Sequence, residues 1–241
     1  MSQKPQIVMS EQIGYHNANP DTIKRIEKAK TYQDLSTICI VPCGKKMPSK
    51  IVQNWMGLMT PMNQKFIRLF AIDMEVGEAY SKTIEMILAH PDLKNWKYIL
   101  TLEHDNAVPP DGLLKLYEHM DEYDGIGGLY FTKGEGGQPM CYGKMDSFPV
   151  NFIPFLPTPE TITPCRGIAM GFSLFKLDIF KNPALPKPFF ETKQSYVEGQ
   201  GAQAYTQDLK FCENAGKLGY KFAVDPRVKV GHYDVDNDYM W

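Results

Sequence analysis

The sequence predicts an α/β fold with a mostly parallel central sheet flanked by helices, on three observations. Compact apolar runs, 36–41, 66–72 and 98–102, alternate with stretches whose apolar residues recur at helical spacing. Polar or turn-forming residues arrive where each run must end, at Pro42-Cys43-Gly44, at Asp73 and at Glu103-His104-Asp105-Asn106. The 241 residues are 43% hydrophobic and 22% charged, which suits one soluble domain, or one domain with an appendage, whose core needs no covalent staple.

The bulk numbers exclude several classes. Formal net charge is -2, from 26 basic and 28 acidic residues, and no block of like charge stands out, so a general nucleic-acid binder is not expected. The cysteines (Cys39, Cys43, Cys141, Cys165, Cys212) are odd in number and lack metal-ligand spacing. They read as buried thiols of a reduced, cytoplasmic chain. Residues 1–10 hold no apolar signal-peptide core, and no apolar run is long enough to cross a bilayer.

In chain order, residues 1–35 read as an N-terminal tail followed by a helix. Asn19-Pro20 supplies an N-cap and a proline at the first helical position, and the helix runs through Ile23 and Ile26 to about Lys30. Residues 36–241 form the α/β domain proper. Ser36 to Val41 is a β-branched first strand. The turn after it, Pro42-Cys43-Gly44, is either a plain strand-to-helix turn or a place where the backbone approaches a nucleotide. Pro48-Ser49 opens a helix through Ile51, Val52, Trp55 and Leu58. Phe66 to Ile72 is the next strand; Asp73 at its end either accepts from a base or ribose hydroxyl or caps the following turn. Gly77 precedes a helix with Tyr80, Ile84, Ile87 and Leu88 on one stripe. After the central strand comes a helix bearing Leu113, Leu114, Tyr117 and Met120. Asp124 to Phe131 is a strand entered through glycines, and 132–164 is an irregular insertion or small hairpin layer. Ile168 to Phe175 reads as one strand with Gly171 inside it, followed by a short helix at Asp178-Ile179-Phe180. Glu191 to Tyr205 is polar and reads as a mobile loop. Thr206-Gln207-Asp208 starts a helix that Gly219 ends. Tyr220 to Val224 is a strand closed by Asp225-Pro226, and the acidic, aromatic tail from Asp234 packs back on the domain.

The central stretch concentrates the chemistry. Its apolar half is a buried strand, and Ala107-Val108-Pro109-Pro110 is expected to end the ladder. Side chains alternate along a strand, so Glu103 and Asp105 are expected on one side and His104 on the other. Two carboxylates at the carboxyl end of a buried strand suit Mg²⁺ or Mn²⁺ together with phosphate oxygens. The bland alternative is a solvated strand end with ordinary surface acids.

These residues then fall into an ordered set: Glu103-x-Asp105, Ile126-Gly127-Gly128-Leu129-Tyr130, Met170-Gly171-Phe172-Ser173, Thr206-Gln207-Asp208-Leu209 and Gly231-His232. Over residues 36 to 233 this resembles the GT-A nucleotide-sugar glycosyltransferases, and among them the family-two-like enzymes. The resemblance implies a Rossmann-type domain with a nucleotide-binding half at about 36–125 and an acceptor half at about 126–233. It implies that Asp105 binds the divalent metal and that Glu103, in the first place of the DxD element, sits near the ribose or reaches the metal through water. His232 matches a C-terminal histidine that is a second metal ligand in some relatives. Asp208 matches the catalytic base of inverting relatives, with Gln207 replacing a usual acid. Gly127, Gly128 and Gly171 match the floor under the donor sugar; Pro42 and Asp73 remain nucleotide-side candidates from their place at strand ends. Ala79-Tyr80-Ser81 stands where many relatives have Ala-Arg-Asn, so an expected arginine contact is missing.

The implied activity is a metal-dependent transfer of a sugar from a nucleotide donor, UDP-linked, to an unidentified acceptor hydroxyl. The anomeric carbon is inverted; retention is the alternative geometry. A nucleotidyltransferase is one rival, for which Pro42-Cys43-Gly44-Lys45-Lys46 is a faint phosphate loop. A catalytically silent sugar- or nucleotide-binding module is the other. For Asp208 the plain alternative is complementing a helix dipole, worth ~0.3–1 kcal/mol; for His232 it is a lone surface histidine. Phe152, Phe155, Phe189, Phe190, Tyr196 and Tyr205 are candidates for an acceptor-side aromatic platform or for core. Arg166 either pairs with phosphate or acceptor or is a plain surface arginine.

Overall fold

A computed structural model describes residues 6–9, 33–197 and 201–241. The helix expected at 20–30 lies outside the described residues. Strand β1 is Gln6–Met9. The first core strand, β2, is Thr37–Cys43 and is buried along its whole length. Ile38 and Ile40 face one side of the sheet and Cys39 and Val41 the other, as expected of a strand covered by helices on both faces. Helix α1 (Ser49–Met56) starts after Pro48 and buries Ile51 and Trp55. Strand β3 is Phe66–Ile72. Helix α2 (Val76–Ala89) begins earlier than expected, with Gly77 inside it. Its cap is Glu75, whose carboxylate accepts from the Glu78 amide at 2.9 Å. The stripe Tyr80, Ile84, Ile87 is buried as its spacing demands.

Strand β4 (Tyr98–Leu102) is fully buried, and the two-residue strand β5 (Asn106–Ala107) follows a tight turn. Helix α3 is Gly112–Tyr117 and strand β6 is Gly125–Leu129. The segment from 132 to 164 is irregular, with strand β7 at Cys141–Tyr142 and strand β8 (Thr163–Cys165) at its end. Strands β9 (Gly167–Ile168) and β10 (Phe172–Lys176) replace the single strand expected over 168–175, with Ala169 to Gly171 as the break. Helix α4 is Asp178–Lys181. The stretch expected to be a mobile loop contains a hairpin, β11 (Lys193–Val197) against β12 (Gly201–Tyr205). Helix α5 is Gln207–Lys217, closed by Gly219 at φ +90°. Strand β13 (Phe222–Lys229) runs on through Asp225-Pro226, which was expected to end it. It does so by a register shift between Asp225 and Lys229, the irregularity that lets a proline remain within a ladder. Strands β14 (Gly231–Asp234) and β15 (Tyr239–Met240) pair, so the tail does pack back.

The main sheet has eight strands in the order β1-β3-β2-β4-β10-β6-β13-β8. β3, β2, β4, β6 and β13 run in one direction, and β1, β10 and β8 run against them. The sheet is thus mostly parallel, and the carboxyl ends of five strands open on one edge. Core packs on both faces. One side stacks Phe180, Phe190 and Phe211, with centroids 5.3 Å apart for Phe180–Phe211 and 4.6 Å for Phe190–Phe211. Phe189 and Phe190 are buried there and offer no acceptor platform. All five cysteines are free and buried. No helix among the described residues is long and apolar enough to cross a membrane.

Candidate active site

The site grows from the end of β4. The chain does not continue as an extended strand past Leu102. The Glu103 amide donates to the Gly171 carbonyl at 3.1 Å, and the Asn106 amide closes a turn onto the Glu103 carbonyl at 3.1 Å. Simple strand alternation therefore does not set where Glu103 and Asp105 point; the turn does. Nor is pairing at an end. Asn106 and Ala107 resume it as β5, in a small separate sheet whose register sets His232 opposite Asn106 and Gly231 opposite Ala107. The Tyr233 amide donates to the Asp105 carbonyl at 2.7 Å. Helix α1 braces this turn from beneath. Trp55 Nε1 donates to the Asn106 carbonyl at 2.8 Å, and Asn54 Oδ1 accepts from the Val108 amide at 2.7 Å.

That ladder brings His232 Nε2 to 3.4 Å from Asp105 Oδ2. The other ring nitrogen, Nδ1, donates to the Phe131 carbonyl at 2.9 Å, which fixes the proton on that side of the ring. Nε2 is left for Asp105: as imidazolium it donates, and as neutral imidazole it turns a lone pair toward the carboxylate and any cation between them. Lys133, which sequence reasoning passed over, donates from Nζ to the same Asp105 Oδ2 at 2.6 Å. Burial alone would raise the Asp105 carboxyl. The hydrogen bonds from His232 and Lys133 outweigh it and hold the group well below the usual carboxylate range.

Glu103 behaves oppositely. Burial first, then the charges of Asp105 and Asp208, push its carboxyl up to about 8. Asp208 sits in the first turn of α5, almost wholly buried, with Oδ1 accepting from the Leu209 amide at 2.9 Å. Burial pushes its carboxyl up, against hydrogen bonds from Thr206 and the Leu209 amide. Three carboxyl groups thus share one end of the sheet in different protonation environments, an arrangement typical of functional clefts. Tyr130, also not foreseen, packs edge-on to the His232 ring at 5.6 Å and accepts the Gly171 amide on its hydroxyl at 2.8 Å.

A side chain on Gly171 would lie 2.5 Å from the Tyr130 hydroxyl and 2.6 Å from Asn106 Oδ1. Gly128 has the same need against Val228 and Val230, with a Cβ 2.7 Å from Val230 Cγ2. Pro42 and Asp73 lie together at the carboxyl ends of β2 and β3, where the Asp73 amide donates to the Cys43 carbonyl at 3.0 Å. Asp73 adopts φ +58° and pairs with Lys45 at 3.2 Å. Arg166 spends its guanidinium on the Lys144, Met145 and Ser147 carbonyls and so ties down the irregular segment. Tyr80, in the place of the missing arginine, is fully buried.

A carboxylate oxygen and an imidazole nitrogen fit a hard divalent cation that draws its other ligands from phosphate and water. The Asn106 carboxamide oxygen is buried beside them without a hydrogen-bond partner. No group of three or more His, Cys, Asp or Glu side chains forms a closed metal cage among the described residues.

The fold is GT-A-like. The sequence matches no protein-family profile and no curated protein. Among solved structures it is similar to A197 from STIV, with a TM-score of 0.57 and 14% identity over 85% of this chain and 92% of that one. It is also similar to GalNAc-T7 with UDP, GalNAc and Mn²⁺, with a TM-score of 0.53 and 13% identity over 82% of this chain. The match spans 43% of the GalNAc-T7 chain.

Proposed function

We propose that this protein is a metal-dependent glycosyltransferase that moves a sugar from a UDP-linked donor to an acceptor hydroxyl with inversion. The observation that carries the reading is the 3.4 Å approach of His232 Nε2 to Asp105 Oδ2 at the carboxyl end of the central strand. Residues so far apart in sequence meet where an open α/β sheet binds its ligands. The solved relative that holds UDP, GalNAc and Mn²⁺ supports the same ligand class here.

In this reading Asp105 and His232 would hold Mn²⁺ or Mg²⁺ beside the donor. The ion would neutralise charge on the departing diphosphate. Pro42 and Asp73 border the nucleoside, Glu103 lies near the ribose, and the Gly128 and Gly171 backbone lies under the sugar. The C-terminal strand pair carrying His232 closes the donor side. Asp208 takes the proton from the acceptor hydroxyl as it attacks the anomeric carbon, a role worth ~10²–10⁴-fold. Its burial places proton uptake within a protected environment, and its place at a helix N-terminus favours the ionised form that a base needs.

The test is a panel of nucleotide sugars with Mn²⁺ or Mg²⁺, scored for slow hydrolysis and for transfer to hydroxyl acceptors. Product configuration, read by NMR, separates inversion from retention. Donor binding with no turnover across the panel, and indifference to Asp208→Asn, would favour a silent binding module. Transfer of a nucleotidyl group would favour the nucleotidyltransferase.

A further inference from the structure

Lys133 reaches the centre of the site, and the transferase reading leaves its charge unused. It lies at the base of a short hairpin following β6. Thr132 and Gln138 exchange hydrogen bonds across that hairpin, from the Thr132 amide to the Gln138 carbonyl at 2.9 Å and from the Gln138 amide to Thr132 Oγ1 at 2.8 Å. Gly134 and Gly136 take positive φ at its tip, and the Met140 amide donates to the Tyr130 carbonyl at 2.9 Å. The base of the hairpin is therefore held firmly. Phe131, two residues before Lys133, gives its carbonyl to His232 Nδ1. One short segment thus orients the histidine with its backbone and reaches Asp105 with the next side chain but one.

The ammonium meets Asp105 at Oδ2, the oxygen that His232 Nε2 also faces. A divalent cation held between Asp105 and His232 would lie nearest that oxygen, which the imidazole already faces. Two cations cannot occupy one carboxylate oxygen without strong repulsion. The Lys133 side chain is about one-third exposed, so the ammonium can leave for water or for an anion without unfolding anything.

We propose that Lys133 is the resident counter-cation of Asp105, that it competes with the divalent metal for Oδ2, and that once displaced it gives its charge to the donor diphosphate. This rests on the donor-site reading above and adds to it a residue with two opposed effects. Lys133 weakens binding of metal alone and strengthens binding of nucleotide when metal is present. A purely structural lysine would move both in one direction.

The experiment uses Lys133→Met, which keeps the aliphatic length, and Lys133→Arg, which keeps the charge. Mn²⁺ alone is titrated into each protein by calorimetry, and UDP is then titrated at saturating Mn²⁺. The Met variant is expected to bind Mn²⁺ about tenfold more tightly and UDP about tenfold more weakly, the range a charge-assisted hydrogen bond supports. The Arg variant is expected to follow the parent. A Met variant with unchanged or reduced Mn²⁺ affinity overturns the assignment, whatever UDP does. Raised Mn²⁺ affinity in the Met variant, beside a parent that binds no UDP at saturating Mn²⁺, overturns the donor-site reading and the diphosphate role, and leaves the competition for Oδ2 standing.

Discussion

Two carboxylates, Asp225 within β13 and Asp105 in the turn after β4, are satisfied in contrasting ways. Asp225 is fully buried, and its partner stands two residues away. Arg227 grips it with Nε to Oδ1 at 3.0 Å and Nη2 to Oδ2 at 2.7 Å, and the Arg227 amide adds a third bond at 3.0 Å. Glu118 takes the remaining charge of the guanidinium at 2.8 Å. Asp105 draws its partners from a hairpin and from the C-terminal strand, and both face one oxygen. A local, bidentate pair is complete and needs nothing from outside. A cluster assembled from distant segments, with Glu103 and Asp208 adding surplus acid beside it, is arranged for something that comes and goes.

The largest way to break this contrast is Asp208→Asn. Transfer should fall by ~10²–10⁴-fold while UDP affinity stays within about twofold; steady-state kinetics beside calorimetry reads both, and unimpaired transfer would remove Asp208 from the chemistry. Asp225→Ala should act on the other side of the comparison. It should cost stability by about 2–3 kcal/mol in urea unfolding, with nucleotide affinity in the surviving folded protein unchanged. His232→Ala should lower UDP affinity at limiting Mn²⁺ by about ten- to a hundredfold with little loss of stability, and excess Mn²⁺ should restore part of it. An equal loss with and without Mn²⁺ would detach His232 from the metal.

The smallest effect concerns pH. Burial raises the folded-state pKa of Asp208 above its unfolded value, so between the two values the folded chain holds a proton that the unfolded chain has released. Stability therefore falls as pH rises through that window, and activity rises as the base ionises. Asp208→Asn should remove this contribution, so its stability relative to the parent should improve from acid toward neutral pH. Parallel urea curves at several pH values check the sign.

Much of this was legible from residues alone. β3 matches its expected span, and β2 extends its own by two residues, because β-branched and aromatic runs with polar stops leave little choice. That Asp105 and His232 belong to one site was implied by the family resemblance, and the two side chains do approach each other. What was hidden depends on long-range pairing. Nothing local in Phe172-Ser173-Leu174-Phe175 says that β10 will run antiparallel between β4 and β6. β13 hid its extent because a proline inside it usually marks an end. Lys133 was invisible because a lysine in a glycine-rich stretch looks solvated. The usable signal was its position, just past a strand that ends beside the acidic turn.

The backbone of His232 is bracketed by Trp241, amide to carbonyl in both directions at 3.0 Å. Loss of that pairing would unpin the imidazole yet spare every strand of the main sheet. A variant that lost it should keep the urea-unfolding midpoint of the parent and lose Mn²⁺-dependent UDP affinity, so the Trp241 pairing is a remote support of the imidazole.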